Sequence, residues 1–353
     1  MKILIDIGHP AHVHFFARPI RLLRADGHDI LVTSRRKDVA LELLDELGVP
    51  HEPLSAAASG LAGFARELIA RDRALIRVAR RFGAERMAEI GGTFVAHATL
   101  FTGIPSLVFY DTENAALQNA ITYPFASRVL VPRCYRGWTP RRRTLRYAGY
   151  HELSYLHPDA FAPDPGRARD AGLDPARDNY LIRLVSWKAN HDIGERGWSR
   201  ELLDWLVGRL SARGKVLISS EADLGGHFEP YRYRGRVSDI HHVMAGCRMV
   251  IGESATMASE AAVLGVPALY AAETGRGYTD EQEQRYGLVA NVRELTPPAI
   301  GAALDRLLEP PPEHWQARRE RLLGDTIDVA RLVADAILRY PQAPAGALHA
   351  APG

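Results

Sequence analysis

Histidines cluster in the segment Gly8–His14 (GHPAHVH), which directly follows a short apolar run at the start of the chain. An imidazole titrates near neutral pH, and the positive end of a helix lowers its pKa and keeps it neutral, so His12 is a candidate general base. The alternative is structural, with these histidines capping the helix or bonding loop carbonyls. A metal site is not indicated, because no Asp, Glu or Cys nearby completes a ligand set.

A second segment begins at Gly252, after the apolar run Met249–Ile251. Its small residues, Ser254, Ala255 and Thr256, stand where a helix is expected to begin. Because backbone amides and the helix dipole converge there, the segment predicts a diphosphate site that needs no metal. Glu260, about one turn further on, is placed to accept hydrogen bonds from ribose hydroxyls. The competing interpretation makes Ser254 or Thr256 an ordinary N-cap and Glu260 a common helix acid.

The loops that follow the first two strands argue against a nicotinamide cofactor. A dinucleotide-binding domain carries G-x-G-x-x-G after its first strand and an acid near the end of its second strand. Here Gly8–His14 lacks those glycines, and Ser34-Arg35-Arg36 stands where the acid is expected. We therefore predict no resident cofactor.

Strands and helices that would hold these segments alternate along both halves of the chain. Strands that are apolar throughout indicate parallel sheets covered on both faces, with ligands beyond the carboxyl ends of the strands. The pattern predicts an α/β protein with two doubly wound Rossmann-like domains that face each other across a cleft. Predicted strands cover residues 2–7, 28–34, 93–96, 106–110, 128–131, 179–187, 215–220, 248–252 and 267–272; predicted helices include 39–47, 64–81, 115–122, 200–213, 240–245, 257–264 and 327–340.

A connection with four prolines, His157–Pro175, separates the two halves. We expect an N-terminal domain over residues 1–157 and a C-terminal domain over 176–325. A final helix over 326–340 is expected to pack back on the N-terminal domain. The Ala/Pro/Gly segment 341–353 is expected to be a mobile tail.

The composition is that of an ordinary globular protein. The 353 residues carry 44 Lys and Arg against 42 Asp and Glu, so bulk charge does not indicate nucleic acid as a partner. Cys134 and Cys247 cannot form a disulfide framework or a paired-cysteine metal site. No signal peptide or membrane-length apolar stretch is present, which favours a soluble, cytoplasmic enzyme of small molecules.

The same segments resemble the GT-B superfamily, which contains nucleotide-sugar glycosyltransferases and UDP-N-acetylglucosamine 2-epimerase. Gly8–Phe15, Gly103–Asn119 and Ser254–Pro267 resemble segments of the lipid-linked N-acetylglucosaminyltransferase of peptidoglycan synthesis. The closest resemblance is to a prokaryotic family of unknown function in this superfamily. Its hallmarks here are residues 149–153 (GYHEL), 183–187, 191–192, 218–221 (ISSE), 241–242, 252–260, 277–278 and 286–289.

The resemblance implies a metal-independent, inverting transfer of a sugar from a nucleoside-diphosphate sugar, most simply a UDP-sugar, to an unidentified acceptor. It also implies a place in cell-envelope polysaccharide biosynthesis. His12 matches the loop histidine of the transferases, and Glu260 matches their ribose-binding glutamate. The residues that the resemblance adds are Glu113 as an acid or base; Lys188, His191 and Arg276 near the diphosphate; and His9, His14, Asn114, Asn119, Gly277, Tyr278 and Glu281 as sugar or acceptor contacts.

Two alternatives remain open: a nucleotide-sugar epimerase or hydrolase, and a sugar-nucleotide-binding protein without catalysis. Ser259 stands where the epimerase signature has a glutamate, which counts modestly against epimerisation. The segment Arg133–Arg146 holds six arginines and no acid. It is either a solvated surface or a surface that attracts a phosphorylated or lipid-linked acceptor, or the anionic inner face of a membrane.

Overall fold

The structure is a computed structural model that describes residues 1–36, 38–56, 61–113, 116–185, 197–220 and 223–348. The chain divides into two compact units. Unit 1 contains Met1–Ala160 and Thr326–Gly353, and unit 2 contains Phe161–Asp325. Unit 1 is therefore made of two stretches of sequence, and unit 2 of one.

Unit 1 begins with seven strands and six helices that largely alternate along the chain. They are β1 (Lys2–Ile7), α1 (Pro10–Ala25), β2 (Asp29–Arg36), α2 (Asp38–Glu46), β3 (His51–Ala56), α3 (Leu61–Phe82), β4 (Arg86–Ile90), α4 (Thr93–Thr102), β5 (Ser106–Phe109), α5 (Ala116–Thr122), β6 (Arg128–Pro132), β7 (Thr144–Tyr147) and α6 (Leu153–Leu156).

Unit 2 repeats this alternation on a smaller scale. Its elements are α7 (Pro165–Asp170), β8 (Asn179–Leu184), α8 (Arg200–Ser211), β9 (Lys215–Ser220), α9 (Gly225–Phe228), α10 (Ile240–Ala245), β10 (Met249–Gly252), α11 (Ala255–Leu264), β11 (Ala268–Ala271), α12 (Gly277–Glu281), β12 (Val289–Val292), α13 (Pro297–Leu308) and α14 (Pro312–Gly324). The chain then returns to unit 1 with α15 (Val329–Arg339) and β13 (Ala347–Leu348).

Both sheets are doubly wound, as their strand orders show. The sheet of unit 1 has the order β13-β7-β6-β5-β4-β1-β2-β3, and every neighbouring pair except β13–β7 is parallel. The sheet of unit 2 has the order β12-β11-β10-β8-β9 and is parallel throughout. The strand order reverses between β1 and β4 in unit 1 and between β8 and β10 in unit 2. Ligands of such sheets bind at these switch points, beyond the carboxyl ends of the strands.

The segment Thr93–Ala96, predicted as a strand, forms the first turn of α4, and the strand is β4, just before it. A short apolar run fits a buried helix as well as a strand, so periodicity does not separate the two. The Gly91-Gly92 pair decides the outcome here. Both glycines have positive φ, 73° and 49°, which ends the strand and starts the helix.

The last helix of the chain packs on the first helix of unit 1. Arg18 of α1 donates to Asp328, the N-cap of α15, at 2.8 Å, and both side chains are nearly buried. The segment predicted as a mobile tail differs from that expectation in one place. Ala347 and Leu348 pair with Tyr147 and Arg146 as an antiparallel edge strand.

The longest helix, α3, coincides with the basic helix predicted over residues 64–81. Its Arg71 is 1% exposed and points into the unit rather than to solvent. Across the described stretches of the chain, no helix is both long enough and apolar enough to cross a membrane.

Candidate functional site

The loop after β1 leads directly into α1 and places two histidines at the switch point of unit 1. His9 is the N-cap of α1, and its Nδ1 accepts a hydrogen bond from the Ala11 amide at 3.2 Å. Pro10 occupies the first helical position, which suits its fixed φ and missing N–H. His12 lies one turn inside the helix, and its Nδ1 accepts from the Gly8 amide over a long 3.4 Å.

Burial, and next to it the neighbouring His9, lowers the pKa of His12 to about 3. The imidazole is therefore neutral at physiological pH. Because the Gly8 amide can only donate, Nδ1 is the acceptor and the ring proton sits on Nε2. In this tautomer His12 presents a hydrogen-bond donor at Nε2. Its role as a general base stays a prediction.

A carboxylate–imidazole pair that sequence analysis did not identify lies at the same edge of the sheet. Asp111 follows β5, and its Oδ2 lies 3.1 Å from Nδ1 of His151. His151 is 6% exposed, and its ring packs against Phe15 with centroids 4.5 Å apart. Burial raises the pKa of Asp111, but the charge and hydrogen bond of His151 and a bond from Thr112 outweigh it and lower that pKa to about 2.

The pairing with Asp111 also defines the chemistry of the other His151 nitrogen. In the neutral ring, a carboxylate at Nδ1 holds the proton on that atom and leaves Nε2 as the acceptor. Among the described residues, Nε2 of His151 is buried and has no hydrogen-bond partner. The edge of unit 1 therefore combines a proton acceptor, His151, with a neutral donor, His12. The two are close enough for the charge of His151 to lower the pKa of His12.

Charged side chains are buried beneath this edge. Asp6 of β1 and Glu89 of β4 are in register on neighbouring strands. Arg71 donates to Asp6 at 2.8 Å, and Thr33 donates to the other Asp6 oxygen at 2.7 Å. Burial, and next to it the charge of Asp6, raises the pKa of Glu89 well above its usual range, although Arg71 acts in the opposite direction.

The other predicted residues of unit 1 lie on separate elements. Glu113 accepts from the Arg136 amide at 3.3 Å, which ties it to the β6–β7 connection. Asn119, on α5, is 8% exposed and donates to the Tyr135 hydroxyl at 3.4 Å. His14 stacks on the ring of Tyr155 of α6. Asn114 lies outside the described residues.

In unit 2, α11 begins directly after β10, beside the strand-order switch. Ser254 is its N-cap and accepts from the Met257 amide at 3.3 Å. The amides of Ala255 and Thr256 have no hydrogen bond to any described residue. Two amides at the positive end of a helix of ten residues are the arrangement that binds a phosphate oxygen. The Ser254 hydroxyl itself already caps the helix.

Glu260 is buried on α11, 5% exposed, rather than free in solvent. One of its carboxylate oxygens lies 2.9 Å from Nε2 of His241 on α10. His241 and His242 lie inside this short helix. A ribose that bonded Glu260 would share the carboxylate with His241.

A single carboxylate holds both ends of the connection between β8 and α8. Glu253 accepts from the Trp198 amide at 2.7 Å and from the Val185 amide at 3.0 Å. The indole of Trp198 donates to the Ala271 carbonyl at 2.9 Å. Two predicted residues, Lys188 and His191, lie outside the described residues, as does the end of the strand predicted to reach residue 187.

The remaining predicted residues follow β11. Arg276 is the N-cap of α12, and its guanidinium donates to the Gly275 carbonyl at 2.9 Å. Gly277 and Tyr278 are buried, and Glu281 lies 3.9 Å from Arg285. The segment is therefore held by contacts within unit 2.

One group of potential metal ligands occurs in the described part of the chain. Donor atoms of His157, Asp159 and Asp328 lie within 4.8 Å of one another. Asp328 is already paired with Arg18 at 2.8 Å and with Arg331 at 3.2 Å. Two guanidinium groups beside the Asp328 carboxylate oppose the binding of a cation there.

A comparison with known protein families found a match that lies within unit 1. Residues 1–146 match the family model described as a protein of unknown function (DUF354). The resemblance to a family of unknown function is thereby confirmed. A search of curated proteins found no significant match.

Solved structures show the fold of the whole chain. S. aureus MnaA in complex with UDP is 11% identical, with a TM-score of 0.69 over 97% of this chain and 98% of that chain. UDP-GlcNAc 2-epimerase from Neisseria meningitidis, bound to UDP-GlcNAc, is 12% identical, with a TM-score of 0.69 over 96% and 100%. The glycotransferase of kitacinnamycin is 15% identical, with a TM-score of 0.61 over 94% and 98%. The predicted α/β, GT-B-like fold with two Rossmann-like domains is confirmed.

Proposed function

We propose that the protein is a GT-B-type glycosyltransferase that transfers a sugar from a nucleoside-diphosphate sugar to an acceptor, without a metal ion and with inversion. The observation that carries this proposal is the pair of unbonded amides at Ala255 and Thr256, at the start of α11. The fold shared with proteins solved with UDP and UDP-GlcNAc supports a UDP-sugar as the donor.

Unit 2 supplies the donor site in this proposal. The amides of Ala255 and Thr256 bind the diphosphate, and such fixed dipoles stabilise the charge that the leaving group gains. Glu260 and His241 together bind the ribose hydroxyls. The further donor contacts proposed are Lys188, His191 and Arg276 at the diphosphate and Gly277, Tyr278 and Glu281 at the sugar.

Unit 1 supplies the proton chemistry. The acceptor hydroxyl attacks the anomeric carbon and loses its proton to Nε2 of His151, while Asp111 stabilises the imidazolium that forms. The bond between the anomeric carbon and the diphosphate oxygen breaks, and the electron pair leaves with the diphosphate. His12, predicted as the base, and Glu113, predicted as an alternative acid or base, are the further candidates for accepting this proton. His9, His14, Asn114 and Asn119 are proposed as sugar or acceptor contacts.

A nucleotide-sugar epimerase or hydrolase is the second candidate function. It is favoured by the 2-epimerases among the similar structures, from Neisseria meningitidis and Methanocaldococcus jannaschii. Incubation with UDP-, GDP- and dTDP-sugars in the absence of an acceptor separates the two. Transfer predicts that the sugar nucleotide is recovered unchanged, whereas an epimerised or hydrolysed product refutes the transferase.

Donor binding is tested by removing a single amide. Ala255→Pro keeps the helix, because proline is favoured at its first position, but it deletes one N–H. Ser254, with φ −91° and ψ 110°, already has a conformation that a following proline allows. Arg200→Pro makes the same change at the first position of α8 and serves as the control.

We expect Ala255→Pro to weaken UDP binding about tenfold or more, which is the loss of one hydrogen bond to a charged group. Arg200→Pro is expected to bind UDP like the wild type. Calorimetric titration measures both. If saturating UDP neither binds nor raises the melting temperature of the wild type, the donor site is refuted.

A further inference from the structure

Arginine is concentrated in one acid-free part of unit 1. Residues 116–146 contain seven Arg and no Asp or Glu. Arg128, Arg143 and Arg146 donate to backbone carbonyls. Arg141 and Arg142 are exposed and make no hydrogen bond or ion pair within the described stretches. Two guanidinium groups that no carboxylate neutralises attract an anion.

The two arginines lie at the rim of a pocket of about 520 Å³, between α5 and the β6–β7 connection. Trp138 is 73% exposed at the same pocket, and its ring lies 5.8 Å from that of Tyr123. Asn119, Tyr123, Pro124 and Pro140 also line it. The pocket volume falls within the range of small-molecule sites.

The floor of the pocket is built from hydrogen-bonded, buried side chains. The hydroxyls of Tyr123 and Tyr135 are 3.2 Å apart, and Asn119 donates to the Tyr135 hydroxyl. Oδ1 of Asn119 is buried and has no partner among the described residues. A Cβ at Gly137 would lie 2.6 Å from the Tyr135 hydroxyl, so a glycine is needed for the chain to pass over that ring and present Trp138.

The walls are fixed as well. Arg143 donates to the carbonyls of Pro124 at 2.8 Å and Ala126 at 3.2 Å, which ties the β6–β7 connection to the end of α5. Because the floor and the walls are held by internal contacts, the site loses little conformational freedom when a ligand binds.

We propose that this pocket, which lies at the amino ends of β6 and β7 and so apart from the edge that holds Asp111 and His151, is a separate binding site for a saccharide that carries a phosphate or a carboxylate. The C–H face of a sugar ring packs against the exposed indole of Trp138. The guanidinium groups of Arg141 and Arg142 bind the anionic group, for which their planar donors are suited. A concave pocket walled by Pro124 and Pro140 fits a small ligand better than a lipid surface.

The test is calorimetric titration of the full-length protein with glucose 1-phosphate, glucuronate, glucose and inorganic phosphate. The pocket variants are Trp138→Ala and the double variant Arg141→Gln/Arg142→Gln. Arg306→Gln/Arg321→Gln removes two exposed arginines of unit 2 and is the matched control for charge. UDP is titrated into the same proteins.

We expect glucose 1-phosphate or glucuronate to bind at least tenfold tighter than glucose and inorganic phosphate. Each pocket variant should weaken that binding at least fivefold, and the control should not change it. The inference is overturned if phosphate alone binds as tightly, if the pocket variants have no effect, or if phosphatidylglycerol vesicles bind through Trp138 while the saccharides do not. If the wild type binds the anionic saccharide but not UDP, only the proposed function is refuted. If it binds UDP but none of the saccharides, only the pocket is refuted.

Discussion

Replacing His12 by Asn removes an imidazole that the folded protein keeps neutral, and it leaves an oxygen that can accept from the Gly8 amide. The folded pKa of His12 is about 3, against 6.5 for the unperturbed group. Below pH 6.5 the unfolded chain therefore takes up a proton that the folded chain does not. The contribution of the neutral His12 to stability is fully present above that pH and is lost progressively as the pH decreases towards 3.

At pH 5 this proton uptake costs about 2 kcal/mol relative to pH 8, obtained as RT ln(1 + 10^1.5). Urea denaturation of wild type and His12→Asn at the two pH values measures it, with His28→Asn, a histidine just before β2, as the control. Loss of the ring shifts stability equally at both pH values, so the readout is the difference between them. We expect the variant to lose about 2 kcal/mol less than the wild type on acidification. An equal loss in both proteins refutes a His12 that stays neutral in the folded protein.

Three further predictions concern unit 1. Folding raises the pKa of Glu89, so the wild type should lose stability as the pH rises above 5 and the unfolded chain releases that proton. Glu89→Gln has no such proton, and urea denaturation at increasing pH should show a smaller loss for this variant. Gly92→Ala should lower the free energy of unfolding by about 2–4 kcal/mol, because its φ is positive and its Cβ would lie 2.0 Å from Cγ1 of Val108; an unchanged melting temperature contradicts this. Asp111→Asn removes the charged acceptor at Nδ1 of His151 and should lower the free energy of unfolding at pH 7 by about 1.5–3 kcal/mol, measured by urea denaturation; an unchanged value contradicts the pairing.

The sequence was sufficient to predict the alternation of strands and helices, because buried parallel strands are short and continuously apolar. It was insufficient for Thr93–Ala96, where an apolar run of four residues occurs at the start of a helix. Strand β12 was not predicted either, since Val289–Val292 has no flanking polar alternation and its pairing with β11 depends on a distant segment.

The candidate site also contains residues that the sequence identifies and residues that it does not. Local spacing identified His12 and the start of α11, because each lies directly after an apolar strand. The pairing of Asp111 with His151 spans forty residues of sequence, so no local pattern could reveal it. The tautomer of His12 depends on one amide, that of Gly8, and on burial by the surrounding fold. The motif GYHEL, which contains His151, was the one available signal.

The ion pair between Arg18 and Asp328 has a consequence for the order of folding. It joins a residue from the first helix to one from the last, 310 positions later. During synthesis, α1 therefore waits for its covering helix until nearly the entire chain has left the ribosome, whereas unit 2 is complete once Asp325 has emerged. The nascent chain must keep the apolar face of α1 soluble throughout that interval, and a truncation shortly before α15 would leave this face permanently exposed.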